Sequence, residues 1–278
     1  MRILVTNDDG IDSIGLHVLA RAMCALEGDH EVVVAAPDTE YSGAAAAVGA
    51  LHLIQPEVRK AHIDDCSAAA IWSVSGPPAL CVMFSRLGAF GAPFDLVVSG
   101  INPGANVGRA VYHSGTVGAA LTARNGRISG VAVSQSVTGF GVEGQGWDEA
   151  IVSQQWDSAA EVGKTVVQAL LDDLPVDPVV VNINVPDLPL NEIKDWRHAE
   201  VGTQPPRSIA NATLEPIAGH EGAFSVTMSW GDPIELAPDT DGGAVERGEV
   251  AITYLSRFLH DPADEFAPAT EALDALLR

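Results

Sequence analysis

Two adjacent carboxylates end the first apolar run of the chain. Met1-Arg2-Ile3-Leu4-Val5-Thr6 leads straight into Asn7-Asp8-Asp9-Gly10. Neighbouring ionised Asp side chains repel, and burial raises that cost unless a positive charge sits between them. At the carboxyl end of a first β-strand, where α/β sheets bind ligands, such a pair points to a hard divalent cation, Mg²⁺ or Mn²⁺. Three further polar clusters recur in the same context: Asp38 to Ser42-Gly43, Ser99-Gly100-Ile101-Asn102, and Ser114-Gly115-Thr116. Together they offer two carboxylates, a hydroxyl and an amide. Oxygen ligands without Cys or His suit Mg²⁺, Mn²⁺ or Ca²⁺ better than zinc. Ser114-Gly115-Thr116 precedes a small-residue helical segment, Val117 to Ala123, whose free N–H groups and hydroxyls make an anion cradle. Each cluster alone is also ordinary turn or cap composition. Combined, they imply metal-assisted hydrolysis of a phosphate ester, the cation polarising a phosphoryl oxygen and lowering the pKa of a bound water.

The elements that must position these clusters alternate between strand and helix. Ser13 is a suitable N-cap for a helix reaching Leu26, with Leu16, Leu19, Ala20 and Met23 on its apolar face and Gly28 as its stop. Glu31–Ala36 reads as a second strand. Residues 51–74 read as hairpin-like strands, including Ala70–Val74, and Pro78 to Leu87 as a helix. Asp95–Ser99, Gly130–Ser134 and Pro178–Val185 are further core strands, with helices from about Thr116 and over Asp157–Leu171. Apolar runs of this length between helices are what a buried parallel sheet requires. The fold expected is therefore α/β, a Rossmann-like three-layer core over residues 1–186. Beyond Pro186, Pro and polar residues increase. Residues 187–278 read as a C-terminal extension rather than an independent domain, with Ala223–Trp230 and Val250–Leu255 as antiparallel strands and Pro268–Leu277 as a closing helix. The Gly-rich stretch 138–147 reads as a loop.

Composition narrows the function classes. The 278 residues carry 15 Lys+Arg against 37 Asp+Glu, a formal net charge of −22. That field argues against duplex nucleic acid and anionic membranes as partners. It also makes local neutralisation necessary if the substrate is an anion, and with only Lys60, Lys164 and Lys194 a lysine-lined phosphate site is not expected. Cys24, Cys66 and Cys81 have neither CxxC nor zinc spacing and read as idle thiols in a reducing compartment. No signal-peptide pattern opens the sequence and no apolar run is long enough to span a bilayer, so a cytoplasmic location is expected. Two lookalikes fail. Gly163-Lys164-Thr165 lacks the earlier P-loop glycine, which is Ser158, and Gly10 and Gly15 do not make GxGxxG.

The long motifs resemble the SurE family of survival-protein nucleotidases. They are the opening MRILVTNDDGIDSIGLHVLARAM, then APDTEYSG, SGINPGANVG, SGTVGAA, VNINVPDLP and DTDGGAVERGEVAITYL. The resemblance implies a Rossmann-like core whose C-terminal extension mediates oligomerisation, as a homodimer or homotetramer. It implies a phosphatase for nucleoside 5′- and 3′-monophosphates that uses one divalent cation, Mg²⁺ or Mn²⁺, per subunit and attack by a metal-bound water. By motif position the metal ligands fall on Asp8, Asp9, Ser42 and Asn102, with Asp8 and Asp9 catalytic. The phosphate contacts fall on Asn102, Ser114, Gly115 and Thr116. Some positions depart from the family pattern. Arg109, Ala110 and His113 stand where two acidic residues and a Tyr are usual, Leu80 replaces an Asp, and Thr122 replaces a Glu. These departures keep two alternatives open: a metal- and nucleotide-binding protein with little turnover, and a phosphatase for a non-nucleotide metabolite.

Overall fold

The computed structural model describes residues 1–138, 150–204, 209–232, 234–256 and 274–276. The opening run forms β1 (Arg2–Thr6), and Ser13 caps α1 (Ile14–Cys24), its side chain accepting from the Leu16 N–H. β2 (Glu31–Pro37), β3 (Val58–Lys60), β4 (Ala70–Val74) and α2 (Pro78–Arg86) follow. Next come β5 (Leu96–Pro103), a 3₁₀ turn at Gly108–Tyr112, α3 (Gly115–Asn125), β6 (Ser129–Gln135), α4 (Trp156–Asp172) and β7 (Val180–Val185). The later elements are β8 (Asp195–His198), β9 (Ile209–Pro216), β10 (Phe224–Trp230), α5 (Asp241–Glu246) and β11 (Glu249–Tyr254).

Nine strands form one sheet in the order β3-β4-β2-β1-β5-β6-β7-β11-β8. From β4 to β7 every neighbouring pair is parallel. The strands alternate their side chains between two faces, as a pleat demands. Ile3 and Val5 join α1 and α4 in one apolar cluster. Leu4, Val33 and Val97 face the other way, packing with Val82 of α2 and with Ala119 and Ala123 of α3. Burial on both faces explains why Ile3–Val5, Val32–Ala36 and Leu96–Val98 are unbroken apolar runs.

The chain leaves β1 toward β2 and β4, then returns to place β5 on the other side of β1. That reversal opens a crevice beyond the carboxyl ends of β1 and β5. Thr6 pairs with Ser99, so the Asp pair and Asn102 both lie just past the same edge. β5 runs to Pro103, beyond the Ser99 end expected from its apolar residues, and its register with β6 shifts between Gly100 and Asn102. Gly100 has φ 133°, and a Cβ there would lie 2.2 Å from the Val133 carbonyl oxygen, so only glycine fits the shift.

The two C-terminal strands expected to be antiparallel have different roles. β10 pairs antiparallel with β9 in a separate hairpin. β11 instead extends the main sheet, antiparallel to β7 and parallel to β8. The closing helix expected at Pro268–Leu277 lies outside the described residues except for 274–276, and the Gly-rich stretch lies outside them from 139 onward. No helix among the described residues is long and apolar enough to cross a membrane.

Candidate active site

Asp8 is 2% exposed and sits against the N-terminus of α3. Its carboxylate accepts the Thr116 hydroxyl proton and the N–H groups of Gly115 and Thr116. The approach is close enough that a Cβ on Gly115 would meet Asp8 Oδ2 at 2.7 Å. Asp8 therefore occupies the anion site that a helix start provides. Burial pushes its pKa up, and these hydrogen bonds pull it back only in part. Thr116 Oγ1 is also 3.4 Å from Asn102 Oδ1, so β1, β5 and α3 converge on one point. Asn102 Nδ2 donates to the Gly104 carbonyl at 2.6 Å, which turns its oxygen toward Thr116.

Asp9 is the more unusual carboxylate. Its Oδ2 is buried and has no hydrogen-bond partner. Burial, then the charges of Asp8 and Glu40, push its pKa up to about 8. Among the described residues no salt bridge reaches Asp8 or Asp9. Adjacent carboxylates, one buried and the other with a buried orphaned oxygen, and no organic counter-ion are what a cation site requires. The described residues contain no group of three His, Cys, Asp or Glu able to hold a metal, so any further ligands are neutral oxygens. That set fits a hard cation.

The remaining expected residues flank this point. Ser42 is exposed in a turn tied to the pair by the Tyr41 N–H, which donates to the Asp8 carbonyl at 2.7 Å. Ser114 is the N-cap of α3. Its Oγ accepts from the Val117 N–H at 3.1 Å and keeps its own proton to donate. Thr116 and Gly115 are in place as α3 donors, but their groups are directed at Asp8.

The supporting residues were not apparent from the motifs. Asn7, fully buried, donates to Gly10 O at 3.0 Å and to Ser13 Oγ at 2.7 Å, bracing the turn that carries the Asp pair. The loop after Asn102 is held by Asn106. Its N–H donates to Asn184 Oδ1 at 2.7 Å, its Nδ2 donates to Ser134 Oγ at 2.8 Å, and its carbonyl accepts from Asn182 and Asn184. Asp241, with no exposure, accepts from the N–H groups of Gly108, Gly202 and Gly242. It fastens the end of that loop to α5. Asn182 and Asn184 left a readable signal: two amides at i and i+2 in an otherwise apolar strand share one face and need a buried partner.

Residues 3–208 match the family model described as Survival protein SurE. The chain belongs to the SurE family. It is 35% identical over 260 residues to the 5′/3′-nucleotidase SurE of Erwinia tasmaniensis, covering 92% of this chain and 90% of that one. It is 36% identical to the 5′-nucleotidase SurE of Stenotrophomonas maltophilia, covering 92% and 89%. The crystal structure of the SurE protein from Aquifex aeolicus has a TM-score of 0.73 at 27% identity, covering 99% of this chain and all of that one.

The departures from the SurE pattern fall outside the contacts made by Asp8. Leu80 is fully buried with its Cδ2 toward Gly76. Thr122 bonds back to the Gly118 carbonyl at 2.7 Å within α3. Arg109 and His113 are exposed, and the Ala110 carbonyl accepts from the N–H groups of His113 and Ser114.

Proposed function

We propose that this chain is a divalent-metal-dependent phosphomonoesterase acting on nucleoside 5′- and 3′-monophosphates. The observation that carries this reading is buried Asp8 next to half-buried Asp9, whose buried Oδ2 is unpartnered, at the β1/β5 crevice beside a helix start. Asp8, Asp9, Ser42 and Asn102 would hold one Mg²⁺ or Mn²⁺ per subunit. When bound, the cation polarises a phosphoryl oxygen and offsets the negative field of the protein.

The other steps belong to this chain's own groups. Asn102 and the Ser114 hydroxyl orient the phosphate, while the N–H groups of Gly115 and Thr116, expected at the phosphate, hold the Asp8 carboxylate beside it. Asp9 Oδ2, free of any partner, is the acceptor for the proton that the attacking water loses. A cavity of about 300 Å³ opens beside Ser114, lined among others by Val111, Tyr112, Leu121 and Val201. An apolar cavity there suits a nucleoside better than a small polar alcohol. Because the departures leave the Asp8 contacts intact, no observation favours a protein without turnover.

The assembly is a homo-oligomer, dimer or tetramer. In the β9–β10 hairpin, Val226 pairs with Leu214 and Met228 with Ala212, so these side chains and Phe224 share one face. Leu214, Phe224, Val226 and Met228 are each more than half exposed. A two-stranded hairpin with an uncovered apolar face is not stable by itself and is best covered by a second copy.

The deciding assay is phosphate release from nucleoside 5′- and 3′-monophosphates with Mg²⁺, Mn²⁺ or EDTA. Release should need the cation and fall at least about 100-fold in Asp8→Asn, with the fold retained. Metal-independent release, or full activity in Asp8→Asn, would overturn the reading.

A further inference from the structure

Cys24 ends α1, and Cys66 lies in the loop between β3 and β4, 42 residues later. Their Sγ atoms are 3.8 Å apart. A disulfide needs about 2.05 Å, so closure takes a sulfur displacement of under about 2 Å, a distance that side-chain rotation and a small loop shift can supply. The loop is already docked on α1. Ile63 is buried in the same apolar cluster as Leu19 and Met23, and Arg21 Nη1 donates to the Asp64 carbonyl at 3.2 Å. Both cysteines are partly exposed, so a small oxidant can reach them. Cys81 cannot compete, because it is fully buried in the cluster on the opposite face of the sheet.

We propose that Cys24 and Cys66 are a redox pair that hydrogen peroxide converts to an intrachain disulfide, fastening the β3–β4 loop to the end of α1. The two sulfurs are chemically unequal. The hydrogen bond between the two sulfurs, then the Ala68 N–H, Arg21 and His62, push Cys66 down to about 6, while Cys24 is pushed up. Cys66 is therefore the thiolate that attacks. Its sulfur takes one peroxide oxygen as the O–O bond breaks, giving a sulfenic acid and a hydroxide that is protonated to water. The Cys24 sulfur then attacks the sulfenic sulfur, the S–S bond forms, and the sulfenic oxygen leaves as a second water carrying the Cys24 proton. Two thiols and one peroxide become one disulfide and two waters, the sulfurs oxidised by two electrons. α1 begins beside the Asp pair and ends at the opposite edge of the sheet, so the bond acts on stability and not on the phosphatase centre.

The test uses the full chain, reduced, desalted and exposed to hydrogen peroxide. Trypsin with chymotrypsin separates Cys66 from Cys81 by cleavage after Trp72. The expected product is a Cys24–Cys66 linked peptide, reversed by dithiothreitol, and an intact mass lower by two hydrogens. The melting midpoint should rise by roughly 5 °C or more, as expected for a cross-link closing a loop of this length. Cys24→Ser and Cys66→Ser should each lose both signals, and Cys81→Ser should keep them. The proposal is overturned if Cys66 proceeds to sulfinic acid without the linked peptide. Linkage through Cys81 or between chains, or three thiols still free, would overturn it equally.

Discussion

Gly115→Ala tests the closest packing in the site. The added Cβ would lie 2.7 Å from both Asp8 Cβ and Asp8 Oδ2 and 3.1 Å from Asp8 Cγ. Carbon atoms pack best at about 3.5–4.0 Å, so the Asp8 side chain or the start of α3 must yield by about 1 Å. Asp8 has little freedom, because it is buried and bonded to Thr116. A misplacement of about 1 Å at a reacting centre costs on the order of 100-fold in rate. Overpacking costs about 1–3 kcal/mol of stability, partly offset because alanine is the better helix residue. Gly115→Ala should therefore remain folded, with a melting midpoint lower by a few degrees. Its kcat/KM for nucleoside monophosphates should fall about 30- to 100-fold, and cation affinity measured by calorimetry should weaken in parallel. Wild-type kcat/KM and cation affinity in this variant would refute the idea that Asp8 works while seated against the α3 N-terminus.

Three other perturbations reach different parts of the molecule. Complete burial pushes Cys81 up to about 12. Its raised pKa contributes stability that is fully present below about 9, where the unfolded thiol begins to ionise, and is lost as pH rises through 12. Denaturant titrations should show stability falling by up to about 1.4 kcal/mol per pH unit across that window, with a shallower fall in Cys81→Ala; parallel curves would count against it. Asp241→Ala leaves the N–H groups of Gly108, Gly202 and Gly242 without their acceptor and should cost about 3 kcal/mol or more in urea unfolding. Asp241→Asn keeps one acceptor oxygen and should lose less than half of that, so equal losses in the two variants would refute the clamp. Val226→Glu places a charge on the apolar hairpin face, and light scattering should find a smaller assembly with each subunit still folded; an unchanged mass would remove the hairpin from the interface.

What could be read from sequence followed burial on two faces. Ile3–Val5 of β1, Val32–Ala36 of β2, Leu96–Val98 of β5 and Val131–Val133 of β6 are apolar runs because both faces are covered, and that pattern survives without any tertiary knowledge. β8 reads Asp-Trp-Arg-His and lies exposed at the sheet edge, so no such run marks it. The partners of β11 were also hidden, since an apolar hexapeptide does not say whether it joins a hairpin or the main sheet. The same division holds in the site. Asp8 and Asn102 are legible as clusters after strands, and their meeting follows from the reversal of strand order at β1. Glu40 beside Asp9, Asp241 beneath Gly108 and Cys66 beside Cys24 depend on loop paths that no local pattern encodes.

Asn102 and Pro103 still pair with β6, but the loop that follows leaves the ladder, and Asn106 and Gly108 in it are buried. Buried N–H and C=O groups need partners. Asn184, Asn182 and Asp241 supply them from β7 and α5. The polar residues inside β7 and at the start of α5 are therefore the complement of the site loop. They hold the backbone that follows Asn102 at fixed points, so that Asn102 Oδ1 stays near Thr116 Oγ1. The C-terminal elements thus contribute to the centre without placing a side chain in it.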